Sequence, residues 1–118
     1  MSVLWNLPIR VYSEPNTHQH WGQKYQRYRS QKRFIWAKFF NEKPKLELPV
    51  MVELTRYGPR ELDFDNLVAS FKAIRDEVAN QLIPGLKAGQ ADSSDKIFWR
   101  YYQKKDKDYS IDIKIESI

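Results

Sequence analysis

Val50-Met51-Val52-Glu53-Leu54-Thr55, followed after a short turn by Arg60-Glu61-Leu62-Asp63-Phe64-Asp65-Asn66-Leu67, is where the chain changes its hydrophobic period. Val50, Val52 and Leu54 alternate with Met51, Glu53 and Thr55, the pattern of a strand with one buried face. From Leu67 onward the apolar residues Leu67, Phe71, Ile74, Val78 and Leu82 recur at helical spacing, and the pattern stops before Pro84-Gly85. A strand therefore leads through Tyr57-Gly58-Pro59-Arg60 into a helix over residues 67–82. Between them stand two carboxylates, one residue apart. In extended chain Asp63 and Asp65 point the same way, roughly 6–7 Å apart at Cα, and Phe64 turns toward a core. Such a pair suits magnesium, which takes oxygen ligands and leaves its other positions to water and phosphate. The alternative is structural: Asp65 or Asn66 caps the helix that follows.

The flanking segments extend the same reading. A first strand is expected over residues 4–12, interrupted or edged by Pro8, which cannot donate a ladder hydrogen bond. Residues 20–40 read as a helix in which Trp21, Tyr25, Tyr28, Ile35, Trp36 and Phe39 face the core. Lys24, Arg27, Arg29, Lys32, Arg33 and Lys38 cover the rest of it, either as a solvated face or as contacts for DNA phosphates. Near the end, strands over residues 97–103 and 109–115 are joined by Lys104-Lys105-Asp106-Lys107-Asp108 as a hairpin turn. Ile111, Ile113 and Ile115 alternate there with Asp112, Lys114 and Glu116. The sum is one α+β domain over residues 1–118, with a mixed or antiparallel sheet of about four strands and two main helices.

Composition narrows the chemistry. A chain of 118 residues suits a single domain, and the absence of cysteine excludes disulfides and zinc-thiolate sites. His18 and His20 are the only histidines, too few for a zinc site. The glycines form no phosphate-cradling run, and no serine sits in a nucleophile turn. No apolar run approaches twenty residues, and the first residues do not read as a secretory signal, so no membrane role and a cytosolic location are expected. Charge is divided unequally: residues 1–60 carry a net +7 and residues 61–118 a net −2, within an overall +5. Basic surface beside acidic chemistry fits a protein that handles a phosphate backbone.

Beyond the helix, Asp92-Ser93-Ser94-Asp95 precedes the strand pattern Ile97-Phe98-Trp99-Arg100-Tyr101-Tyr102-Gln103. With that second acidic cluster, residues 62–115 resemble the RusA-type Holliday junction resolvases, a phage and prophage endonuclease family. Its core reads Asp-x-Asp-Asn-Leu, a helix, Asp-Asp and a strand. Asp63, Asp65, Asn66 and Leu67 match the first block, and Asp92 matches the second Asp of the later pair. Ser13-Glu14-Pro15-Asn16 and His18-Gln19-His20-Trp21 are similar to the family's amino-terminal region. The resemblance implies a RusA-like fold and an endodeoxyribonuclease that resolves Holliday junctions or related branched DNA in recombination and repair. It further implies a homodimer, and magnesium, or manganese, held by Asp63, Asp65 and Asp92, with Asn66 orienting Asp65 or the turn.

Two departures stand out. The family carries a lysine where this chain has Ala69, and an Asp where it has Ala91. Lys72 is the candidate catalytic replacement for the first, because Asp65, Ala69, Lys72 and Asp76 share a helical face. It starts about 10 Å along the helix axis from Asp65, within reach of a phosphate between them; a solvated lysine is the alternative. Asp95 is the candidate stand-in for the second. Loss of both would leave a non-catalytic junction-binding protein, and a nuclease for flaps or forks is a third reading.

Overall fold

Pro8 has no amide hydrogen, and the first strand stops one residue before it: β1 is Ser2–Leu7, shorter than the expected 4–12. The structure, a computed structural model, describes residues 2–13, 21–84 and 94–118. After β1 come α1 (Trp21–Glu42), β2 (Val50–Gly58), α2 (Phe64–Ser70), α3 (Lys72–Leu82), β3 (Ile97–Lys105) and β4 (Ser110–Ser117). The strands form one mixed sheet in the order β1-β4-β2-β3. β4 runs antiparallel to both β1 and β2, while β3 runs parallel to β2. The α+β reading holds.

The period-two residues line one face of that sheet. Trp5 and Leu7, Val50, Val52 and Leu54, Ile97, and Ile111, Ile113 and Ile115 are all buried there. Against them pack Ile35 and Phe39 of α1, Phe71, and Ile74, Val78 and Ala79 of α3. Phe39 meets Trp5 edge to face at 5.0 Å between ring centres, and α1 also lies against α3. On the opposite face Leu4, Phe98, Arg100 and Tyr102 are exposed. There Asp112 accepts bonds from Asn6 Nδ2 at 2.7 Å and from the Tyr57 hydroxyl at 2.6 Å. That second bond is the main reason, ahead of burial and of the charges on Asp112 and Asp106, that the Tyr57 pKa is raised.

Three expectations are corrected. The helix expected over 67–82 begins earlier and is interrupted at Phe71, whose amide reaches back to Val68 at 3.1 Å before the ladder restarts with Arg75 donating to Phe71 at 2.8 Å. At the break, the Ser70 hydroxyl donates to the Leu67 carbonyl at 2.6 Å, a local competitor of the helical ladder. The apolar face survives, since Leu67, Phe71, Ile74 and Val78 are buried.

In α1 the buried stripe is Gln31, Ile35 and Phe39, at spacing i, i+4, i+8. Trp21, Tyr25 and Trp36, expected in the core, are exposed by 74%, 57% and 49%. A helix laid on one sheet face buries a narrow stripe, and Trp36 lies one residue, about 100°, around from Ile35. It stacks instead on Phe40 at 5.1 Å.

The residues after β3 make no hairpin, because β2 sits between β3 and β4. Parallel pairing puts the ends of β2 and β3 together, so the chain must cross the end of β2 to reach β4. Asp106 marks the crossing by donating its amide to Gly58 at 2.9 Å.

Candidate metal and nucleic-acid site

The end of β2 is built around an arginine at a core position. Arg56 continues the inward series Val50, Val52, Leu54, and only 5% of it is exposed. Its Nη1 donates to the Arg60 carbonyl at 2.7 Å, which fixes the turn leaving the strand. Gly58 makes room for it: a Cβ there would meet Arg56 Nη2 at 3.0 Å and the Tyr109 ring at 3.1 Å. Two residues beyond Arg60, the Gln103 side chain of β3 grips the backbone of Leu62. It accepts from the Leu62 amide at 2.9 Å and donates to the Leu62 carbonyl at 2.7 Å. An amide side chain thereby imitates a strand partner and holds the residue before Asp63 against β3.

Asp63 follows as the N-cap of α2, with extended dihedrals (φ −58, ψ 154), and makes no side-chain capping bond. Its carbonyl accepts the first helical bond, from Leu67 at 2.8 Å. Asp65 lies in the first turn, where the helix dipole favours negative charge. The extended alternation expected across Asp63, Phe64 and Asp65 therefore does not hold. Phe64 is the first helical residue and is 65% exposed, its ring edge-on to Tyr101 at 6.4 Å. The local reason is that Asp63 occupies the cap position, so the chain turns helical one residue later. Both carboxylates are exposed, and among the described residues neither is held by a hydrogen bond or an ion pair. Asn66 is half-buried and makes no bond to Asp65.

Lys72 is exposed at the start of α3. It lines a shallow depression of about 250 Å³ with Val68, Ala69, Arg75 and Asp76, so Ala69, Lys72 and Asp76 share a face as expected, whereas Asp65, expected on the same face, is not part of that lining and is separated from Lys72 by the helix break at Phe71. Asp92, Ala91, His18 and His20 lie outside the described residues. Asp95 lies ahead of β3, whose first residue pairs with Val50 at the far end of β2. β3 runs six residues, about 20 Å, from Ile97 to Gln103, so Asp95 lies at the other end of the strand from the Gln103 that holds Leu62. Among the described residues no three His, Cys, Asp or Glu side chains come together as a ligand set.

The basic residues of α1 divide. Arg29 and Arg33 are exposed and border a shallow surface hollow with Gln26 and Ser30, while Lys32 lies half-buried near Tyr25 and Tyr28. Lys24 and Arg27 turn the other way, onto rings: Lys24 over Tyr28 at 5.5 Å, and Arg27 over Tyr12 at 4.4 Å and Tyr28 at 5.5 Å. Arg10, which no sequence pattern singles out, lies 4.7 Å from the Tyr12 ring and 4.1 Å from that of Tyr109. Arg56 stands 6.0 Å from the same Tyr109 ring.

Burial lowers the Arg56 pKa from its ordinary value; Tyr109 opposes this and Arg10 adds to it. No carboxylate lies within ion-pair distance of Arg10 or Arg56 among the described residues. A charged residue at an inward position of an alternating strand is the signal that marks Arg56; Arg10 carries no such mark. No helix among the described residues is long and apolar enough to cross a membrane. The chain matches no model of a known protein family, and none of the curated proteins matches it.

Proposed function

We propose that this protein is a divalent-metal-dependent endodeoxyribonuclease acting on branched DNA, as its resemblance to the RusA-type resolvases implies. The observation that carries the reading is the pair Asp63 and Asp65, exposed at the start of α2 and engaged neither in capping nor in ion pairing. Their oxygens are the hard donors that magnesium and manganese take.

Asp63 and Asp65 would hold the ion, with Asp92 as third ligand on the strength of the resemblance. When bound, the ion supplies Lewis acidity at the scissile phosphodiester and acidifies water for in-line attack. The Lys72 ammonium would stabilise the phosphate, and Asn66 would shape the turn. Lys24, Arg27, Arg29, Lys32 and Arg33 would neutralise the backbone of the DNA arms. A homodimer in the cytoplasm suits the substrate, because a four-way junction has two-fold symmetry and needs two cuts. Ala69, beside Lys72 in the α2–α3 depression, keeps a second reading open: a junction-binding protein without nuclease activity.

Cleavage of a labelled synthetic four-way junction separates the two. Paired cuts that need magnesium or manganese, and that fall by about 100-fold or more in Asp65→Asn, support the nuclease. Cleavage that persists in chelator or is unchanged in Asp65→Asn overturns it. Tight binding without cutting under any metal condition favours the second reading.

A further inference from the structure

At about 100° per residue, Tyr25, Arg29, Lys32, Arg33, Trp36 and Phe40 fall within about 100° of one another around α1, on the flank next to its buried stripe. The outward side of a packed helix is ordinarily polar. Here three of those side chains are rings standing in water: Tyr25, Trp36 and Phe40 are exposed by 57%, 49% and 59%. Arg29 and Arg33 stand exposed between the rings, and Lys32 is half-buried beside them. A contiguous exposed run of rings and cations on one flank marks a binding surface.

Each end of the flank is shaped. Toward the start of the helix, Tyr25, Tyr28, Arg29 and Lys32 line a shallow hollow of about 240 Å³. Toward its end, the Trp36 and Phe40 rings lie one turn apart, 5.1 Å between centres and 14° from parallel, with Lys43 Nζ 5.8 Å from the Phe40 ring. A near-parallel stack with exposed rings is a platform on which another planar ring can lie. From Tyr25 to Phe40 the flank runs about 22 Å along the axis, the length of about six nucleotides at the spacing of a stacked strand. Charge decides the kind of partner. α1 carries Lys24, Arg27, Arg29, Lys32, Arg33 and Lys38 against Glu42 alone, so it repels a second copy of itself and attracts an anion. A duplex is anionic but keeps its bases inside, and would meet the cations while leaving the rings in water. An unpaired strand offers phosphates and flat apolar faces together.

We propose that this flank of α1 binds single-stranded DNA, with unpaired bases on the rings of Tyr25, Trp36 and Phe40 and the phosphates between them on Arg29, Lys32 and Arg33. The proposal rests on the reading that the protein acts on branched DNA, and it names which part of that substrate the helix holds: strand left unpaired beside the branch. Stacking is indifferent to base identity, so the contact adds affinity for open strand without adding sequence preference.

The test is fluorescence anisotropy in chelator with three labelled probes of equal length: a single-stranded oligothymidylate, an abasic strand that keeps the phosphates and lacks the bases, and a duplex. The single strand is expected to bind about tenfold or more tighter than the abasic strand, a comparison that needs no variant. Trp36→Ala and Phe40→Ala should each weaken the single strand about fivefold or more and leave the abasic strand as it was, with circular dichroism and melting temperature reporting an intact fold. Tyr25→Ala probes the same flank at its other end, apart from the stacked pair. Abasic strand or duplex binding as tightly as the single strand overturns the proposal, as does unchanged single-strand binding in all three variants. Sedimentation of the same proteins covers the remaining occupant: self-association lost in Trp36→Ala, with strand binding intact, would give the flank to a second copy and overturn the proposal too. No cleavage enters these measurements, so their failure leaves the nuclease reading standing. Equally, failure to cut a junction leaves the strand-binding flank standing.

Discussion

Arg29 and Arg33 on the outer face of α1, and Arg10 and Arg56 at the end of the sheet, carry the same charge in opposite settings. The first two stand in water beside Lys32. Arg10 lies over the rings of Tyr12 and Tyr109, and Arg56 is buried behind Tyr109. Composition sets how much positive charge the chain has; neighbouring rings decide which guanidinium groups are held still. Loose cations attract a phosphate backbone from a distance and are screened by salt, whereas held ones impose a geometry.

The largest effect expected from this division is on DNA binding. Replacing Arg29, Lys32 and Arg33 together with alanine should lower the slope of log affinity against log salt by about 3, near one unit for each phosphate left without its cation. An unchanged slope would mean that the outer face of α1 does not meet the backbone, and the two sets would then differ in exposure alone. Next in size is Gly58→Ala. Its Cβ would press on Arg56 Nη2 at 3.0 Å and on the Tyr109 ring at 3.1 Å, an overpacking expected to cost about 1–3 kcal/mol in denaturant unfolding. Wild-type stability in that variant would show that ring and guanidinium yield freely. The smallest effect belongs to Arg56→Met, which removes a buried unpaired charge and keeps the length of the side chain. Stability should stay within about 1 kcal/mol of wild type or rise. A loss above about 2 kcal/mol would mark the Arg56 bond to the Arg60 carbonyl as a structural anchor.

Much of this fold was legible because it is written in short-range period. The alternation in β2 and β4 held, and so did the buried face of Leu67, Phe71, Ile74 and Val78, although the break at Phe71 divides that face between two helices. What failed depends on partners distant in sequence. A turn of five polar residues reads as a hairpin unless one knows that β2 lies between β3 and β4. The aromatic residues of α1 read as core because a ring is indifferent to which of two adjacent helical faces meets the sheet; only packing against β1 and α3 selects Gln31, Ile35 and Phe39. At the candidate site, Asp63 and Asp65 were legible from residue type and spacing. Their setting was not, since the grip of Gln103 on Leu62 joins residues 41 apart. Arg56 lies in plain view as a charged residue in an inward series, and an alternation followed only to Thr55 stops one residue short of it.

The strand order also has a consequence for how the chain is made. Among the described residues β1 pairs with β4 alone, joining Ser2 to Glu116 and Leu7 to Ile111. As the chain leaves the ribosome, Trp5 and Leu7 emerge first and must wait for Ile111 and Ile113, about 100 residues later. At ordinary translation speed that is on the order of 5–20 s, far longer than a helix or a loop needs to form. During that interval β1 has no strand partner among the described residues, and its pairing waits for β4.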